Sequence, residues 1–251
     1  AVYTEPSTDG MECQKEYEMK AEILKVFKEA EGEYISGTAL CEKFGVSRQA
    51  IWKNITALKE AGYEFESVSN KGYRLVSSPN TLYGPEILSR LKKDGICKKV
   101  LSFDVIDSTN QKAKKLAEAG EEEGTLVIAD EQTAGKGRRG RNWSSGPEEG
   151  IYMSLLLRPK EAPSKVSSLT LLVSLAITRA IERVCSVEAK IKWPNDIVVN
   201  GKKICGILTE MSSEENYIHY EREVELSLSY QPPCILLYFH CKKLMRQMMT
   251  H

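Results

Sequence analysis

The sequence predicts a mixed α+β chain in two folded parts, and three observations carry that expectation. Residues 19–61 hold three successive amphipathic helical patterns, closed by two short strand-like runs at 63–68 and 72–76. The polar stretch Ser77, Ser78, Pro79 and Asn80 then interrupts all periodicity, as a linker does. Beyond it strands and helices alternate: strand 100–105, helix 110–119, strands 125–129 and 151–157, a long apolar helix 166–184, and strands from 190 onward. The resulting domains are a disordered leader at 1–18, a small helical domain at 19–78 and a larger α+β domain at 81–220, with a tail at 221–251.

Each helix of the first part has its own punctuation. The opening helix buries Ile23, Leu24, Phe27 and Ala30 and stops at Gly32. Ser36 caps a second, with Leu40 and Phe44 inward and Gly45 as its breaker. Ser47 caps a third, whose buried stripe is Ala50, Ile51, Ile55 and Leu58. Helix, glycine turn and capped helix is the helix-turn-helix arrangement, and the two strands around Ser69, Asn70 and Lys71 make it winged. Between Ser47 and Lys59 there are cations and no acid, so DNA contacts are expected from Ser47, Arg48, Gln49, Trp52 and Lys53. The wing adds Lys71 and Arg74. The alternative is an interaction domain or a degenerate remnant.

Composition excludes several chemistries. Lys plus Arg and Asp plus Glu both number 35, so no global field draws the molecule to nucleic acid or membrane. The three histidines, His219, His240 and His251, all lie near the end, which argues against a histidine triad or histidine-ligated metal in the body. Seven cysteines without ligand spacing read as reduced thiols, with neither a disulfide framework nor zinc. No run approaches the roughly 20 apolar residues of a membrane span, so no membrane association and a cytoplasmic location are expected.

Chemistry must then run on cations, amides and carboxylates. Gly135, Lys136, Gly137, Arg138, Arg139, Gly140 and Arg141, followed by Asn142 and Trp143, pack four cations between three glycines and suit an anion. A solvated basic loop or a phosphate-backbone patch reads equally well from that run alone. Around it stand Ser108, Thr109 and Asn110 at a helix start, where capping is the default role, and Gln132 with Thr133 before the loop. Trp143 could cover a heterocycle or simply pack, and Lys192, Trp193, Pro194, Asn195 and Asp196 place a cation beside a rigid turn.

Taken in order, Ser108-Thr109-Asn110, the run from Gln132 to Arg138, Lys192-Trp193-Pro194-Asn195-Asp196, and Lys203-Ile204-Cys205-Gly206-Ile207-Leu208 resemble the motifs of biotin protein ligases. With the winged helix, the chain is similar to the bifunctional class that also represses the biotin operon. The resemblance implies a class II synthetase-like catalytic domain and a two-step reaction through biotinyl-5′-AMP, with biotin and ATP as substrates and Mg2+ in attendance. It also implies a biotin carboxyl carrier protein, operator DNA and a ligand-promoted homodimer as partners. By the same resemblance Ser108, Thr109, Asn110, Gln132, Lys136, Gly137, Arg138 and Lys192 bind biotin, and Arg138 and Lys192 are catalytic. Arg138, Arg141, Trp143, Asn195 and Asp196 bind the nucleotide, Asn195 and Asp196 are also candidates for magnesium contacts, and no resident metal site is implied.

The resemblance stops near Tyr220, where the family pattern continues with another strand and a small β-barrel. Residues 221–251 read as an anomalous tail from a frameshifted or truncated gene, or as real divergence, and no sheet continuation is evident in them. A missing central strand and an incomplete site are therefore expected. The alternatives are a biotin-sensing DNA-binding regulator without ligase activity, a lipoate ligase, and a nucleic-acid-binding protein whose basic loop touches phosphates.

Overall fold

The computed structural model describes residues 10–79, 81–92, 94–137, 143, 145–147, 149–158, 166–212 and 234–242. They divide into two compact units, one running to Gly95 and the other starting at Ile96.

In the first unit α1 (Gly10–Glu29), α2 (Gly37–Phe44) and α3 (Arg48–Glu60) precede a hairpin of β1 (Glu64–Val68) and β2 (Gly72–Ser77). Helix α1 begins at Gly10, so residues 10–18 are helical rather than an unstructured leader. Glu, Gln, Lys and Met dominate that stretch and no proline interrupts it, so helix propensity extends the element although an apolar stripe is lacking. Ser36 Oγ accepts from Ala39 N at 3.1 Å and Ser47 Oγ from Ala50 N at 3.2 Å, satisfying helix-start donors. Gly45 closes α2 in the left-handed region at φ 65°.

The core of this unit is Ile23, Leu24, Phe27, Leu40, Ile51, Ile55 and Leu58 with Tyr63 and Phe65. Phe27 meets Phe65 edge-on, with ring centroids 5.1 Å apart. Backbone groups of Ile35 and Tyr73 exchange hydrogen bonds, so the wing gains a third, one-residue strand. Gly72 lies against that bridge at φ 102°, and a side chain there would collide with the Ile35 backbone.

Helix α4 (Gly84–Arg90), beyond the polar stretch, packs on α1. Its Glu86 is only 4% exposed and holds the two helices together. The carboxylate accepts from Tyr63 Oη at 2.7 Å, from Arg90 Nε at 2.8 Å and from Lys28 Nζ. A buried carboxylate needs such donors, because desolvation otherwise disfavours its charge.

The second unit is a seven-stranded sheet in the order β3-β4-β5-β9-β8-β7-β6. Its strands are β3 (Lys99–Ile106), β4 (Thr125–Gln132), β5 (Gly150–Leu157), β6 (Lys190–Lys192), β7 (Asp196–Val199), β8 (Lys202–Ser212) and β9 (Cys234–Lys242). Strands β3 and β4 are parallel, so the chain must cross over between them, and α5 (Thr109–Glu118) is that crossover. All other pairings are antiparallel. Helix α6 (Val166–Cys185) packs on β6, β7 and β8. Asn200 and Gly201, at φ 49° and 73°, turn β7 into β8 as their dipeptide predicts.

The expected gap in this sheet is filled. Strand β9, inside the segment read as an anomalous tail, lies between β5 and β8, with Tyr152 opposite His240 and Gly206 opposite the same residue. The sequence signal was present in Ile235, Leu236, Leu237, Tyr238 and Phe239, but a central strand shows an unbroken apolar run rather than alternation. No helix among the described residues is long and apolar enough to cross a membrane.

Candidate functional site

The site is built where β3 hands over to α5 and where β4 ends. Ser108, Thr109 and Asn110 are 1%, 0% and 6% exposed. Ser108 caps α5 with its side chain, accepting from Gln111 N at 3.4 Å. Thr109 donates from N at 2.9 Å and from Oγ1 at 3.2 Å to Gln132 Oε1. Ser154, a polar residue inside the apolar run of β5, donates from Oγ to Thr109 Oγ1 at 3.0 Å. Gln132 Nε2 donates to Ser145 Oγ at 3.1 Å, and Ser145 Oγ reaches Trp143 O at 3.3 Å. One amide therefore ties the start of α5 to the far side of the glycine-rich loop.

Backbone bonds close the same region. Gln132 N donates to Ser145 O at 3.0 Å and Trp143 N to Gly135 O at 2.9 Å. Gly135 is required by this closeness: a Cβ there would sit 2.6 Å from Ser145 Oγ and 2.8 Å from Trp143 O. Lys136 is exposed and Gly137 half-buried. Arg138 and Arg141, central to the sequence reading, lie outside the described residues.

Asn110 has a half-finished hydrogen-bond set. Its Nδ2 donates to Glu210 Oε2 on β8 at 3.0 Å, while Oδ1 is buried with no partner among the described residues. An orphaned buried carbonyl costs about 1–3 kcal/mol, which a ligand donor would recover. The sequence marks Asn110 but gives no sign of Glu210, an acid near a strand end separated from it by 100 positions.

The second half of the site lies on β6, β7 and β8. Lys192 is exposed and pairs in register with Asp196 across the β6–β7 hairpin. Asn195 Nδ2 donates to Ile207 O at 2.9 Å, and the Asn195 backbone carbonyl accepts from Ile207 N at 2.9 Å. The asparagine side chain thus fixes the turn that follows Pro194. Lys203 Nζ stands 2.6 Å from Asp196 Oδ1, a charge contact that lacks hydrogen-bond angles. It also lies 5.0 Å from the Trp143 ring centroid. Lys203 therefore brings the loop and the Asn195–Asp196 turn together, a role its place in a sequence motif did not reveal.

In the first unit the expected DNA-contacting residues lie on α3 and on the wing. Ser47 is spent as the α3 cap, whereas Arg48, Gln49, Trp52 and Lys53 lie exposed on that helix. Arg48 donates to Thr38 Oγ1 at 3.1 Å, which steers the guanidinium at the start of α3. A cavity of about 680 Å³ between α2, α3 and the wing is lined by Ser36, Thr38, Arg48, Ser69 and Asn70 among others. Lys71 and Arg74 both lie over the Tyr34 ring, at 5.6 and 4.9 Å, and Arg74 also pairs with Glu66. Hydrogen bonds from Tyr34 and then Arg74 hold the Glu66 carboxyl below the usual carboxylate range.

Residues 102–221 match the biotin/lipoate A/B protein ligase family, and residues 20–74 match an HTH domain family. A Bacillus subtilis protein named bifunctional ligase/repressor BirA is 44% identical over 200 residues, covering 80% of this chain and 62% of the relative. The Escherichia coli protein of the same name is 37% identical over 186 residues, covering 74% of this chain and 56% of the relative. The chain thus spans about three-fifths of the length of these relatives. A solved biotin protein ligase from Aquifex aeolicus, in complex with biotin and ATP, overlaps 57% of this chain and 52% of its own at 30% identity and a TM-score of 0.44.

Proposed function

We propose, from the match of residues 102–221 to the biotin/lipoate A/B protein ligase family and of residues 20–74 to an HTH domain family, that this chain is an ATP-dependent biotin–[biotin carboxyl carrier protein] ligase that also represses transcription in response to biotin. The observation that carries the ligase reading is Asn110 Oδ1, a buried acceptor without a donor, beside the buried Thr109–Gln132–Ser154 network. A ureido ring supplies N–H donors and a carbonyl acceptor, which is the complement of such a lining.

The reaction needs no protein nucleophile. A biotin carboxylate oxygen attacks the α-phosphorus of ATP, the bond to pyrophosphate breaks, and biotinyl-5′-AMP results. A carrier lysine amine, after losing a proton, then attacks the acyl carbon and AMP departs. The first step brings anions together, so cations and positioning supply most of the acceleration. We assign the biotin carboxyl and α-phosphate to Lys192 and Arg138, with backbone of Lys136 and Gly137 closing over the ring. Arg141, Trp143, Asn195 and Asp196 are assigned to the nucleotide.

Asp196, the acid already facing Lys203, is the carboxylate on offer to a magnesium ion carried by the nucleotide, which would screen phosphate charge. The acid-free run from Arg48 to Lys59 of α3 supports operator binding, and a ligand-promoted homodimer and a cytoplasmic location complete the reading.

The test is transfer by the full chain. With biotin, MgATP and a biotin carboxyl carrier domain, the carrier should gain one biotinyl mass. Transfer of lipoate instead of biotin, or biotin binding without any transfer, would overturn the assignment.

A further inference from the structure

The Asn110 amide can point either way unless a neighbour decides, because oxygen and nitrogen have the same shape. Its neighbour is Glu210 Oε2, which accepts from Asn110 Nδ2 at 3.0 Å and lies 2.7 Å from Lys114 Nζ. A carboxylate paired with an ammonium only accepts. The amide nitrogen must therefore face β8, and Oδ1 must face away from it as an acceptor.

Three elements meet in this arrangement. Asn110 and Lys114 lie at i and i+4 on α5, on one face of the helix, and both reach the same oxygen of Glu210. In β8 the preceding residue, Thr209, instead pairs with Thr170 of α6 at 2.7 Å. Consecutive strand residues point to opposite faces, so the strand register turns Glu210 toward α5. Asn110 is 6% exposed and its Oδ1 is orphaned, so the device leaves a desolvated acceptor of fixed direction.

We propose that Glu210 is a positioning residue for substrate selection: by locking the Asn110 amide it dedicates Oδ1 to an N–H donor of the bound ligand. This rests on the ligase reading, in which that donor is a ureido N–H of biotin. Lys114 serves the same end by anchoring the Glu210 carboxylate. A ligand with the same carboxyl chain but no N–H on its ring, such as lipoate, leaves Oδ1 unsatisfied, so the locked amide works against it.

The experiment compares the full chain with Glu210→Ala, Glu210→Gln and Asn110→Ala by direct titration of biotin, ATP and lipoate, with melting temperatures alongside. Glu210→Ala should weaken biotin about tenfold, the range for a misdirected buried hydrogen bond, with ATP affinity and melting temperature little changed. Lipoate affinity should be unchanged or improved. Glu210→Gln, which can still accept from Asn110, should restore most of the biotin affinity. Combining Glu210→Ala with Asn110→Ala should weaken biotin no more than Asn110→Ala alone, because both act through one contact. Equal biotin affinity in the wild type and Glu210→Ala, or parallel losses for biotin, ATP and melting temperature, would overturn the positioning role. A wild-type chain that fails to bind biotin would overturn the ligase reading itself.

Discussion

Lys203 Nζ stands 5.0 Å from the centroid of the Trp143 ring and 2.6 Å from Asp196 Oδ1, so one ammonium joins the end of the glycine-rich loop to the turn after β6. A cation over an indole is worth about 0.5–2 kcal/mol, depending on how far both groups are desolvated. The neighbouring charge contact is partly exposed on both sides and adds little by itself. What the pair of contacts supplies is geometry. Trp143 and Asp196 are both assigned to the nucleotide, and Lys203 determines where each starts.

Replacing Lys203 with Met keeps the aliphatic stem and removes the charge. The expected result is an ATP KM raised about three- to tenfold, matching loss of the cation–π contact, with biotin affinity within about twofold. Pyrophosphate-exchange kinetics at varied ATP, with separate biotin titrations, check this. An unchanged ATP KM would detach Lys203 from the nucleotide side of the site.

Gln132 offers a sharper case because its amide is shared. Gln132→Ala leaves the Thr109 N–H, fully buried, without its acceptor, and removes the donor to Ser145. Stability should fall by about 1–3 kcal/mol, the cost of a buried unsatisfied group, and biotin binding should fall with it. Gly135→Ala should cost about as much by overpacking, since the new methyl would meet Ser145 Oγ and Trp143 O. Urea denaturation of the two variants, alone and combined, measures both effects. Their sum should fall short of additivity, because both act on Ser145.

The legibility of this molecule depended on whether a residue's partner lay nearby in sequence. The caps at Ser36, Ser47 and Ser108 were readable because each bonds three residues ahead. The Asn200–Gly201 turn was readable from backbone preference alone. Thr109 and Gln132 were marked by their motifs, but their direct bond was not, since it spans 23 positions and depends on β3 and β4 being parallel. Glu210 carries no local signal, and Lys203 was marked by its motif but not its contacts: each is a charged residue in β8 until the sheet brings Asn110, Asp196 and Trp143 to it. Strand β9 failed in the opposite way. Its run from Ile235 to Phe239 was visible, but it follows a stretch without periodicity, and an apolar run without alternation is ambiguous.

Glu86 makes a prediction about acid stability. Burial alone would raise its carboxyl, but hydrogen bonds from Lys28 and Tyr63, the Lys28 charge and the Arg90 bond outweigh that and hold it below 4.5. A carboxyl depressed in the folded state contributes stability that is present above its unfolded value and lost as pH falls through the folded value. Lys28, with one carboxylate partner, is held below the usual amine range by burial, and its window lies at alkaline pH. The first unit should therefore weaken below about pH 4.5, and Glu86→Ala should remove that dependence. At neutral pH the variant should lose about 3 kcal/mol, since it leaves Lys28 half-buried without its counter-charge. Urea denaturation of both proteins from pH 3 to 7 gives the two slopes. A wild-type slope retained in Glu86→Ala would place the acid sensitivity elsewhere.

The surface proposed to bind DNA divides its cations into two kinds, and salt dependence can tell them apart. Arg48 lies exposed at the start of α3 with Thr38 Oγ1, a neutral acceptor, as its steering partner. Its full charge remains for a phosphate. Arg74 is paired with Glu66 and stacked on Tyr34, so its charge is already countered within the wing. Each phosphate that a protein cation neutralises releases condensed counterions, and removing one such contact lowers the salt slope of log K by about 1. Arg48→Ala should show that full change on operator DNA, whereas Arg74→Ala should change the slope much less. Arg138→Ala, in the segment that matches the ligase family, should leave the slope alone while impairing retention of the adenylate. Fluorescence anisotropy across a range of KCl concentrations measures all three. A slope change for Arg138→Ala as large as for Arg48→Ala would assign the glycine-rich loop to the nucleic-acid backbone instead.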